Sequence, residues 1–171
     1  MPYTTTHVLV AIVLIELFRE YFFKNNNKFP RYYILIAAIA GILPDLEYVF
    51  QLPADLHRSF FHSLFFPLIF LVLGLIVLKL NFKDKWLRKR HMKLSFILFI
   101  FAGGSLLHIL LDVILREGAM LFYPFLKIWI GLNLISYLPF SEELSLVIID
   151  TILIFLWILW MEFKLKIDDY F

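Results

Sequence analysis

Apolar residues fall in long, nearly unbroken blocks separated by short polar punctuation. Blocks of about 20 residues predict helices that cross a bilayer. Five qualify, running roughly over Thr4–Phe23, Tyr32–Phe50, Ser59–Leu80, Leu94–Leu115 and Leu146–Phe163. The punctuation between them is legible too. Lys24–Arg31 reads as a turn, with Pro30 marking the restart of the chain. Gln51–Leu56, holding Pro53, is a short connection, and Lys79–Lys93 is a basic loop in which His91 reads as solvated surface. Residues 117–144 are apolar but interrupted by Gly118, Pro124, Gly131 and Pro139. That pattern predicts a re-entrant or interfacial segment, with a sixth span over Leu121–Phe140 as the alternative. Pro44 lies inside the second block and removes a backbone donor, so that helix should kink or end near Asp45. The expected fold is an all-α polytopic membrane helical bundle of five transmembrane helices, or six. It forms a single integral-membrane domain over residues 1–171.

Composition strengthens this picture. The chain is 62% hydrophobic and its mean hydropathy is +0.85, against about 45–50% apolar residues in ordinary soluble domains. There are no cysteines, which excludes disulfides and thiolate metal sites. The first apolar run lacks a basic lead and a small-residue cleavage site, so it reads as a retained helix rather than a signal peptide. The net charge of +2 is unremarkable, but its distribution is not. In the five-span arrangement thirteen of the sixteen Lys and Arg fall on one side, leaving Arg58, Arg116 and Lys127 opposite. The positive-inside rule makes the rich side cytoplasmic. The basic loop then faces anionic lipid headgroups, and no nucleic-acid partner is needed to account for it.

One stretch breaks the apolar theme: Gly41–Ser63, GILPDLEYVFQLPADLHRSFFHS. It gathers Asp45, Glu47, Asp55, His57, Arg58 and His62 between two apolar blocks, where polar atoms are costly unless satisfied. The same topology brings His7, His108, Asp112 and Asp150 to that depth, at the extracytoplasmic ends of their spans. Ionisable groups inside a membrane point to function. Glu16 and Arg19, three apart, are expected to form a structural ion pair. Asp150 is either a helix N-cap or a supporting acid.

Imidazole with carboxylate suits zinc, manganese or iron(II). His108 and Asp112 stand at i and i+4 on one helix face and can chelate one ion. His57 and His62 are about 140° apart if both are helical, so they share an ion only if His57 precedes the helix; otherwise they serve different ions. The number of candidate ligands exceeds what one tetrahedral zinc uses, which allows a site of one to three divalent ions, zinc first and manganese second. Metal-activated water attacking a phosphoryl group is the chemistry such a site supports. Arg58 would grip a phosphate oxygen, and Glu47 would bridge ions or take a proton.

Taken together, Thr6-His7, Gly41-x-x-Pro44-Asp45-x-Glu47, His57-Arg58-x-x-x-His62-Ser63, Gly103-Gly104-x-x-x-His108-x-x-x-Asp112 and Tyr123-Pro124-Phe125 resemble the YdjM-like family. Its members are described as membrane-bound, metal-dependent hydrolases, distantly similar to zinc-dependent phospholipase C. The resemblance covers His7 to about Phe125 and implies metal ligation by His7, Asp45, His57, His62, His108 and Asp112. Glu47 departs from the pattern, standing where the family often has Asp. The expected function is a multi-pass plasma-membrane hydrolase cleaving a phosphoester of a lipid or lipid-linked substrate at the extracytoplasmic surface. The alternative is a non-enzymatic protein that binds or transports metal ions through the same cluster.

Overall fold

The computed structural model describes residues 4–22, 29–48, 59–80, 85–116 and 118–165. Five α-helices carry the chain: α1 Thr4–Phe22, α2 Tyr32–Ile42, α3 Phe65–Lys79, α4 Lys85–Leu115 and α5 Glu142–Leu165. Two short 3₁₀ turns, Leu43–Tyr48 and Leu134–Tyr137, complete the regular structure. Among the described residues there is no β-strand, only an isolated bridge between Ala119 and Ile130.

The helix ends follow local chemistry. α2 stops at Ile42 and tightens to 3₁₀ over Leu43–Tyr48, where Pro44 cannot supply the donor a continuing α-helix needs. α5 begins after Ser141, whose Oγ accepts the Leu144 N–H at 3.3 Å, with Glu142 and Glu143 in the first turn beside the positive end of the helix dipole. Asp150 therefore lies inside α5 rather than at its N-cap.

Small residues decide how the helices pack. Without a hydrophobic driving force in lipid, close van der Waals contact between backbones takes over. α2 turns Ala37, Ala40 and Gly41 inward. A Cβ on Gly41 would meet the His7 carbonyl oxygen of α1 at 2.9 Å, and one on Gly104 of α4 would meet the Ala40 Cβ at 2.5 Å. Phe29, Tyr33, Ala37, Ala40 and Ile100 form the buried core where α2 meets α4. α3 packs along α4, tied by Ser95 Oγ donating to the Gly74 carbonyl at 2.9 Å. α5 leans on α1 and is braced there by polar bonds: Trp157 Nε1 donates to Glu16 Oε2 at 2.8 Å, and the Thr6 hydroxyl donates to Asp150.

Large apolar side chains cover the outside. Leu68, Ile69, Val72, Leu75 and Ile76 of α3 and Val147, Ile152, Phe155, Leu156 and Ile158 of α5 are exposed, far beyond the patches a soluble monomer leaves to water. Among the described residues, two helical stretches have the length and apolarity of a full span, Met92–Leu115 with 24 residues and Glu142–Phe163 with 22. α3 is apolar but has only 15 residues, and α2 has 11.

Several expectations change. α3 begins at Phe65 instead of Ser59, and the basic loop is shorter than expected because α4 already starts at Lys85 and takes in His91. Leu121–Phe140 does not form a span; it folds as turns and one short 3₁₀ piece. The segment instead seals the end of the bundle: Leu132 N–H bonds the Val113 carbonyl at 2.7 Å, Asn133 N–H the Arg116 carbonyl at 3.0 Å, and Leu64 N–H the Leu121 carbonyl at 2.9 Å. The first two satisfy carbonyls at the C-terminal end of α4 that a helix end would otherwise leave open, and the third ties the segment to the lead-in of α3. The path starts at Gly118, whose φ of +96° and close approach to the Ile130 carbonyl admit only glycine without strain. Glu16 and Arg19 do not pair with each other. Arg19 Nε donates to the Phe29 carbonyl at 3.0 Å, while Glu16 takes the indole proton of Trp157.

Candidate metal centre

Four elements meet at the end of the bundle where α1 starts and α4 finishes. His7 comes from the first turn of α1 and Asp45 from the 3₁₀ turn after α2. His62 belongs to the turn that leads into α3, and His108 and Asp112 stand one turn apart near the end of α4. His62 is 0% exposed, His108 1% and Asp112 3%. Asp45 is more open, with 24% of its side chain exposed.

The atoms converge on one focus. His62 Nε2 lies 3.6 Å from Asp45 Oδ1 and 3.4 Å from Asp112 Oδ2. His108 Nε2 lies 3.5 Å from Asp45 Oδ1 and 3.7 Å from Asp112 Oδ2. The two Nε2 atoms are 3.2 Å apart. His7 stacks on His108 with ring centroids 3.8 Å apart, and its Nε2 sits 3.4 Å from the other Asp112 oxygen, Oδ1. These residues form two overlapping groups that could hold a metal ion, His7–His108–Asp112 and Asp45–His62–His108, the ligand atoms of each lying within 4.8 Å of one another.

One proton can be placed by elimination. His108 Nδ1 is 2.7 Å from the Gly41 carbonyl oxygen. A carbonyl only accepts, so Nδ1 carries the proton and Nε2 of the neutral ring presents a lone pair. On the other side, His62 lies between carboxylates, with Nδ1 3.3 Å from Glu47 Oε1 and Nε2 3.4 Å from Asp112 Oδ2. The His108 lone pair and the oxygens of Asp45 and Asp112 gather around His62 Nε2. Such a set of acceptors calls for a positive charge, which either a bound metal ion or a proton on His62 supplies. The residues present fit a divalent metal, with the hydrogen bond from His108 to Gly41 and the carboxylate of Glu47 beside His62 placed as supporting partners are at metal sites.

Glu47, expected as a bridging ligand or base, is 1% exposed and lies on the Nδ1 side of His62, away from the focus. Thr6, part of the Thr6-His7 motif but given no role from the sequence, joins Asp150 to the helix position next to His7. The Gly41 carbonyl was equally invisible, since a backbone acceptor leaves no mark in residue type. Beside His7 and Asp112, a void of about 10 Å³ is bordered by Thr6 and Arg116, close to the space one water needs. His57 and Arg58, expected as ligand and phosphate clamp, lie outside the described residues, as does Asp55.

The family model described as YdjM inner membrane protein matches residues 1–166. The chain belongs to this family. Membership in an inner membrane protein family points to the plasma membrane and agrees with the apolar exterior of α3 and α5. No curated protein and no solved structure matches the chain. For this member of the YdjM family, then, the case for a metal rests on the chain's own donor set.

Proposed function

We propose that the protein is a membrane-embedded, metal-dependent hydrolase that cleaves a phosphoester of a lipid or lipid-linked molecule. The observation that carries the reading is the buried meeting of His62 Nε2, His108 Nε2, Asp45 and Asp112. His62, His108, Asp45 and Asp112 would hold one ion. The single free nitrogen of His108 serves only one ion, whereas Asp112 directs one oxygen toward His7 and the other toward His62 and His108. This division supports a second ion, which His7 and Asp112 would hold. Zinc suits the nitrogen and oxygen donors, with manganese the next choice. Bound there, the metal would supply Lewis acidity and a water acidic enough to act as nucleophile near neutral pH.

The protein's own groups do the rest. Gly41 and Glu47 hold the two imidazoles in register, so Glu47 acts by positioning His62. Asp45, the most open ligand, lies where substrate enters. Arg58 follows His57 in the sequence and supplies a bidentate phosphate clamp, and Arg116 borders the cluster on the Asp112 side. A five-span topology, with α2 and α3 completed by the turns at their ends, puts the cluster on the extracytoplasmic face by the distribution of Lys and Arg.

A metal transporter is the competing reading. It needs polar groups continuing across the membrane. Deeper in the bundle, Glu16 and Arg19 are committed to Trp157 and to the Phe29 carbonyl, which argues for a site at one face instead of a path. Metal analysis of purified wild type, His62→Ala and Asp112→Ala protein, run beside phosphoesterase and proteoliposome metal-flux assays, tests the choice. Bound zinc or manganese lost in both variants, together with phosphoester cleavage, is the expected result. Absence of metal after reconstitution sinks the metal reading, and flux without hydrolysis transfers it to transport.

A further inference from the structure

Next to the candidate metal centre, α1, α2 and α4 leave a cavity of about 540 Å³ between them, a size typical of ligand sites. Ala11, Leu14, Phe18, Phe99, Gly103 and Leu107 are among its walls, and no polar side chain lines it. Its register with the centre is shared by all three helices. Ala11 stands one turn below His7 on α1, Ala37 one turn below Gly41 on α2, and Gly104 one turn below His108 on α4. A turn is about 5.4 Å, so the cavity starts directly beneath the ligands. It runs back along α1 toward Phe18 and along α4 toward Phe96, into the apolar depth of the bundle.

The two adjacent glycines divide the work. Gly104 is pressed against Ala40, whereas a Cβ on Gly103 would meet nothing within 4 Å. Gly103 is thus not a helix-contact residue. Its missing side chain is part of the open volume. Water is a poor occupant, because it would find no hydrogen-bond partners on these walls. The hydrocarbon of the surrounding bilayer can fill the space and restore the dispersion contacts an empty cavity loses.

We infer that this groove receives a hydrocarbon chain of the lipid whose phosphate is presented to the His62–His108–Asp45–Asp112 focus, which makes the substrate a long-chain phospholipid held by tail as well as head. The inference rests on the hydrolase reading and deepens it. The bilayer itself delivers the substrate sideways, and the groove aligns the chain with the helix axes so that its polar end emerges at the ligands.

The test uses full-length protein in liposomes containing a phospholipid with a photoreactive group midway along one acyl chain. A diacylglycerol carrying the same group, and no phosphate, serves as its control. Cross-links are mapped by mass spectrometry, and metal content is measured on the same samples. The expected result is labelling at Phe99 and Leu107 by the phospholipid probe in excess over the diacylglycerol probe. In Gly103→Phe this labelling is lost to the level seen on the outer face of α5, with metal content unchanged. Gly103→Leu, a smaller plug, gives a partial loss and guards against misfolding of the larger variant. Equal labelling of the groove by both probes would mean ordinary boundary lipid and overturns the inference. So would labelling confined to α3 and α5, or cross-links between two copies of the chain through the groove. If the protein carries no metal yet the phosphate preference persists, the groove assignment stands and the metal-dependent hydrolase reading fails.

Discussion

Replacing Glu47 by Gln separates a positioning residue from a ligand. Its Oε1 lies 3.3 Å from His62 Nδ1 and the residue is 1% exposed, so water does not substitute for it. Gln keeps the volume and an oxygen acceptor but removes the charge that favours the Nδ1 proton and raises the basicity of Nε2. Loss of such an outer partner costs about 10–100-fold in metal affinity, equivalent to about 1.4–2.7 kcal/mol. His62→Ala removes a ligand outright and should cost more. The assay is zinc competition against a chelating dye, with wild type, Glu47→Gln and His62→Ala purified identically in detergent. An affinity for Glu47→Gln between the other two is expected. Equal loss in Glu47→Gln and His62→Ala would make Glu47 a ligand. Unchanged affinity would show that the carboxylate does not orient His62.

The adjacent glycines give a contrast within one helix turn. Gly104→Ala forces a Cβ against Ala40 and should destabilise by about 1–3 kcal/mol, while Gly103→Ala faces open space and should be neutral or gain up to about 1 kcal/mol in helix propensity. Thermal unfolding in detergent reads both, and equal effects would contradict the packing described. Trp157→Phe strips the indole donor from Glu16 and leaves a buried carboxylate oxygen short of a partner, at a cost of about 1–3 kcal/mol; an unchanged melting temperature would mean that the α1–α5 brace contributes nothing. Chelation of metal-saturated protein should lower its stability by about 2.7 kcal/mol if the starting ion stands at 100 times its dissociation constant. No shift would indicate that protons rather than metal hold the cluster together.

Much of the architecture could be read without coordinates. Long apolar runs dictate helices because only a helix satisfies its own backbone in an apolar setting. Pro44 announces the break before Asp45, since a missing donor acts wherever the chain goes. The i, i+4 spacing of His108 and Asp112 puts both on one face once a helix is granted. Charge counting then brought His7, Asp45, His62, His108 and Asp112 to one end of the bundle, and the structure brings these five together. Residues 121–140 were ambiguous because apolarity alone does not separate a span from a segment folded over helix ends; backbone partners at Val113, Arg116 and Leu64 decided it.

The sequence by itself therefore determined which residue types could hold a cation and that they gather at one end of the bundle, because helical periodicity and the cost of burying charge act locally along the chain. Only the tertiary structure decided their roles. That His108 gives its proton to the Gly41 carbonyl, that Glu47 stands behind His62 and not beside the focus, and that Trp157 rather than Arg19 answers Glu16 all depend on contacts between distant helices. Likewise Gly103 and Gly104 are the same residue in sequence, and differ only because Ala40 of α2 lies against one and open space against the other.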